Sequence, residues 1–124
     1  MLKANLNEMS KKIHENAVKH GWWETEVAFS EIIALCHSEL SEALEEHRNG
    51  KPTDLIYYNG IAFNGNDKPF CLEDKPEGVP VELADCILRI LDYCGRHNID
   101  IDRAIEMKHE FNKSRDYRHG GKVV

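Results

Sequence analysis

The stretch VELADCILRILDYCGRHN, residues 81–98, constrains the fold more than any other part of this chain. Leu83, Ile87, Ile90, Leu91 and Cys94 recur at helical spacing, while Glu82, Asp85, Arg89, Asp92 and Arg96 fall on one narrow line. A helix that is apolar over most of its circumference has to be covered by neighbours on most sides. The pattern therefore predicts a helical protein in which this element is buried and its charged residues share a single seam.

Three further segments repeat the helical period. Leu6, Met9, Ile13 and Ala17 predict a helix over residues 5–20, stopped at Gly21. Phe29, Ile32, Ile33, Cys36, Leu40, Ala43 and Leu44 predict a longer helix over residues 24–48, ended by Asn49 and Gly50. A last helix, capped by Asp100 or Asp102, runs to Arg115. Between the second and third helices, residues 51–80 change character. Prolines, glycines and the run NGIAFNGND mark turns, and Leu55-Ile56-Tyr57-Tyr58 has the composition of a strand. This insertion reads as a small hairpin or an ordered excursion, of the kind that serves as a lid or else as an interface. Residues 116–124 read as a flexible basic tail. Residues 1–124 thus predict one all-α domain of four helices with a long insertion at 51–80.

Two acidic pairs carry the chemistry: Glu39-x-x-Glu42 in SELSEALEE and Glu82-x-x-Asp85 in VELAD. Spacing of i,i+3 puts both carboxylates of a pair on one side of a helix. At about 100° per residue, Glu39 falls just inside the edge of the second helix's apolar face, with Glu42 on the same edge. Carboxylates converging between packed helices repel one another and resist desolvation. A hard divalent cation with oxygen ligands, Mg²⁺ or Mn²⁺, relieves both problems. A solvated acidic face accounts for either pair alone, but two pairs on neighbouring helices favour a site.

A formal net charge of −6 argues against a nucleic-acid polymer as partner. The charge is uneven, since Lys108, Lys113, Arg115, Arg118 and Lys122 face only Glu110 and Asp116 near the C-terminal end. Lys108, Asn112 and Arg115 share one helical face, and an acidic centre with a basic end suits a metal-bound phosphate ligand. No G-x-x-x-x-G-K-[ST] loop occurs, so phosphates would be held by metal and side chains. No apolar run is long enough for a bilayer and MLKANLNEMSKK has no signal-peptide core, so a cytoplasmic protein without a membrane partner is expected. Cys36, Cys86 and Cys94 occupy apolar helical positions, Cys71 lies in a loop, and the absence of C-x-x-C speaks against zinc. Trp22 and Trp23 read either as a packing lid or as rings that stack on a base. His14 reads as a solvated or satisfied core histidine, and Asp92 as a partner of Arg89 or Arg96.

ELSE, then ELAD on the next helix, then KHEFNKSRDYRHGGK resemble the MazG-like nucleoside triphosphate pyrophosphohydrolases of the all-α NTP pyrophosphatase superfamily. The likeness extends from HENAVKHGWWE to the C-terminal GGK. It implies a four-helix MazG-like bundle, assembled as a homodimer or homotetramer, that uses Mg²⁺ to split a nucleoside triphosphate into a monophosphate and pyrophosphate. It further implies that Glu39, Glu42, Glu82 and Asp85 hold the metal, and that Lys108, Asn112 and Arg115 contact the phosphates and nucleotide. One of the acids, or Glu46 a turn further on, would orient or deprotonate the attacking water. Ser38 stands where many members open the first motif with glutamate, and the 51–80 segment is long for the family. These departures bear on the number of metal ions and on substrate choice. Two rival classes remain. A di-iron carboxylate bundle uses two Glu-x-x-His motifs, and only Glu106-x-x-His109 has that form. A non-catalytic helical oligomeric interaction module would carry its acids merely as surface.

Overall fold

A computed structural model describes residues 2–63 and 74–115; residues 64–73 of the insertion, Cys71 among them, and the tail at 116–124 lie outside the described residues. The described chain is mostly helical, with a small sheet. Its elements are α1 (Leu6–Lys19), α2 (Phe29–Arg48), β1 (Tyr57–Tyr58), β2 (Ile61–Ala62), β3 (Pro76–Glu77), α3 (Val79–His97) and α4 (Ile101–Ser114). They group into two compact units, one of Met1–Trp22 with Leu91–Val124 and one of Trp23–Ile90.

In the first unit Ser10, Ala17, Leu91 and Cys94 are buried. Gly95 of α3 lies against α1, and a side chain there would run into the Ser10 carbonyl and His14. Glycine is what lets the two helices approach so closely. One turn earlier, Asp92 Oδ1 lies 2.8 Å from His14 Nδ1. His14 is therefore satisfied, with Asp92 as its partner. Of the two candidate caps for α4, Asp100 serves, accepting the Arg103 N–H at 3.1 Å. Asp102 does a different job. Its carboxylate accepts the N–H groups of Leu6 and Asn7, and its own N–H donates to Asn7 Oδ1. Asn5 makes no side-chain cap for α1, so a carboxylate from α4 satisfies the helix start and complements its dipole.

In the second unit the buried line of α2 is Ile32, Cys36, Glu39 and Ala43, with Trp23 buried before it. The helix begins at Phe29 rather than at residue 24. Ala28 is extended, with ψ 147°, and its carbonyl accepts the N–H groups of Glu31 and Ile32. The β-branched Thr25 and Val27 favour extended backbone before it. Leu40 and Leu44, expected to be buried, are exposed instead, as are Leu83, Ile87 and Ile90 on α3. The seam is filled by smaller residues, Cys36 and Ala43 from α2 and Cys86 from α3, with Cys36 Sγ 3.9 Å from the Cys86 carbonyl oxygen.

The insertion contains the expected hairpin, and more. β1 is central, paired antiparallel with β2 on one side and β3 on the other. Asn59 and Gly60 turn the hairpin at φ 50° and 79°, as a two-residue loop between right-twisted strands requires. The strand is shorter than its composition suggested, because the Leu55 N–H closes a turn on the Pro52 carbonyl. β3 passes directly into α3 through Gly78, whose φ of 121° and close approach to the Leu55 carbonyl exclude a side chain. α3 starts at Val79, two residues before the predicted start at 81, with Pro80 in the first turn where a missing N–H costs nothing. No helix among the described residues is long and apolar enough to cross a membrane.

Candidate metal centre

α2 carries Glu39 and Glu42 one turn apart, and the opening turns of α3 carry Glu82 and Asp85. One carboxylate oxygen from each of Glu39, Glu42 and Glu82 lies within 4.8 Å of the other two. Oxygens bound at about 2.0–2.6 Å from a common cation are separated by up to roughly 5 Å, so the three could share one. Glu39 is 7 % exposed and sits in the middle of the buried line of α2 rather than at its edge. Arg89, one turn after Asp85, makes that burial tolerable. Its Nε and Nη2 donate to the same oxygen, Glu39 Oε1, at 3.0 and 2.9 Å.

Glu82 is the most strained member electrostatically. Its Oε2 is buried and receives no hydrogen bond from the described residues. Burial, hydrogen bonding to Glu42 and Glu39 when protonated, and the charges of Glu42 and Asp85 push its carboxyl from an ordinary 4.5 to about 8. Asp85 is raised as well, by burial and by the charge of Glu39, with Arg89 and Lys75 pulling the other way. Asp85 thus stands in the field of the cluster but outside the three-oxygen convergence. Such a group of carboxylates can be relieved in two ways, by a proton shared between them or by a cation with oxygen ligands.

Glu46 is held by a residue of the sheet. Tyr57 Oη donates to its two oxygens at 2.8 and 3.0 Å, and the side chain is half-buried. In the other unit, Lys108 and Asn112 share an open cleft of 460 Å³ with Leu2, Ile105 and His109. Arg115 follows the last turn of α4, and its guanidinium and the Lys108 ammonium lie 5.7 and 4.8 Å from the centre of the Phe111 ring. Trp23 is buried, so its faces are used in packing rather than open to a base; Trp22 is 66 % exposed and tilted against His20.

Arg89 and Tyr57 are the residues that sequence reasoning missed. Arg89 was findable, since it continues the polar line of Glu82 and Asp85. Tyr57 carried no local signal. Comparison with protein-family models, curated proteins and solved structures finds no match for this chain.

Proposed function

We propose that this chain is a Mg²⁺-dependent nucleoside triphosphate pyrophosphohydrolase with a MazG-like four-helix bundle, acting in nucleotide-pool control. The observation that carries the reading is the convergence of one carboxylate oxygen each from Glu39, Glu42 and Glu82, in a group where Glu82 Oε2 is buried without a donor among the described residues. On this reading Glu39, Glu42 and Glu82 hold Mg²⁺ or Mn²⁺, with Asp85 beside them. When bound, the cation supplies charge neutralisation for phosphate oxygens and acidifies a coordinated water. Arg89 orients Glu39 and balances part of the cluster's charge. Asp85 is the carboxylate we assign to orient the water, because Glu46 is engaged by Tyr57. Lys108, Asn112 and Arg115 stabilise negative charge on the phosphates, and Arg115 can do so bidentately. Incubation of the common and damaged (d)NTPs with Mg²⁺, followed by chromatography, tests the reading. A monophosphate and pyrophosphate are expected; a diphosphate and orthophosphate would contradict cleavage between the α and β phosphates.

A homodimer or homotetramer is part of the same proposal. It is supported by Ile33, Leu40, Leu44, Leu83 and Ile87, large aliphatics that the Trp23–Ile90 unit leaves exposed. Light scattering at micromolar concentration should give at least twice the chain mass of 14.3 kDa. A monodisperse monomer would refute it. The same exposed face favours a second reading, the non-catalytic interaction module, which differs in requiring no cation.

A further inference from the structure

We infer that Tyr57 is a positioning residue of the metal centre, acting through Glu46 to hold the two acid-bearing helices at the spacing a cation needs. The inference rests on the metal-centre reading above.

Glu46 follows Glu39 by seven residues and Glu42 by four, so all three lie on one face of α2. An untethered carboxylate there would add repulsion to the cluster. The Tyr57 hydroxyl instead spans both of its oxygens, and the Lys51 ammonium lies 4.8 Å from the Tyr57 ring centre. That cation–π contact fixes the ring as well as its hydroxyl. Burial and the bond to Glu46 raise the hydroxyl to about 12, the bond contributing most, so it remains a donor across any working pH.

The ring's backbone completes the connection. Tyr57 lies in the central strand, directly opposite Glu77 of β3. Gly78 then leads into α3, and its carbonyl accepts the N–H of Glu82 at 3.1 Å. Gly78 packs against the Leu55 carbonyl with no room for a side chain, so this route has little slack. Glu46, Tyr57, Glu77 and Gly78 therefore form a short strut from the acids of α2 to those of α3. Outer groups of this kind usually set metal affinity without touching the ion.

Titration with Mn²⁺, followed by electron paramagnetic resonance, tests the strut on wild type, Tyr57→Phe, Glu46→Gln, Glu46→Leu and the Tyr57→Phe/Glu46→Leu double variant. Tyr57→Phe and Glu46→Leu should each weaken Mn²⁺ binding about tenfold at temperatures well below melting, and the double variant no further. Glu46→Gln keeps an oxygen acceptor for the hydroxyl and should stay within about threefold of wild type. The contrast between Gln and Leu at position 46 decides the matter even if Tyr57→Phe fails to fold. Unchanged affinity in Tyr57→Phe, or equal losses in Glu46→Gln and Glu46→Leu, would overturn the inference; the second result would make Glu46 act through its charge. A wild type that takes up no Mn²⁺ would instead overturn the metal centre itself, and the strut with it.

Discussion

Glu82→Gln is expected to stabilise the cation-free protein while destroying its cation site. At about pH 9 the wild-type carboxylate is ionised, since its carboxyl titrates at about 8, and its buried Oε2 has no donor. An amide of the same shape removes that charge and offers an N–H to Glu42 or Glu39. The melting temperature should rise by roughly 4 °C, the shift that about 1 kcal/mol makes in a domain of this size. The figure is kept small because water at the exposed Glu42 screens the repulsion. Mn²⁺ affinity should fall on the order of 100-fold or more, beyond the loss seen for an outer-shell partner. Differential scanning calorimetry and metal titration read the two effects separately. A substitution that only disturbed packing would lower the melting temperature, and that result, or an unchanged affinity, would remove Glu82 from the site.

The second large effect is on pH dependence, where affinity and stability move in opposite directions. A cation competes with the proton on Glu82, so Mn²⁺ affinity should climb about tenfold per pH unit below the titration point and level off above about 8. For the cation-free protein, the folded state holds this proton up to about 8, whereas the unfolded chain releases it near 4.5. The folded state binds more protons through that window, so stability falls as pH rises across it and is flat beyond. Asp85, also raised, adds in the same direction. Saturating Mn²⁺ should abolish the fall. Melting curves with and without Mn²⁺ from pH 5 to 9 give the answer, and an affinity independent of pH would exclude Glu82 as a ligand.

The four helices were legible because their period repeats at every turn, and the acidic pairs because i,i+3 spacing is local. What escaped depends on residues distant in the chain. Hydropathy puts Leu40 and Leu44 inside and Glu39 at the edge, yet Glu39 is buried and the leucines are not. The cost of burying Glu39 is offset by Arg89, fifty positions away. The start of α1 is capped by Asp102 from the far end of the sequence, which no local capping rule can supply. The pairing of Glu46 with Tyr57 was hidden, since Tyr57 reaches it from a sheet whose register two-residue strands do not announce. Trp22 and Trp23 are neighbours in sequence with opposite exposure, a difference that adjacency alone cannot reveal.

Glu39, Glu42 and Glu82 are proposed to bind one divalent cation together. Adding Mn²⁺ to the wild-type chain near pH 8.5 and recording the six-line resonance of the free aquo ion tests it most directly. The resonance should be suppressed up to at least one ion per chain, with a Kd below about 1 mM, and restored by excess Mg²⁺. A free-ion resonance of full intensity at every ratio of metal to protein would contradict it.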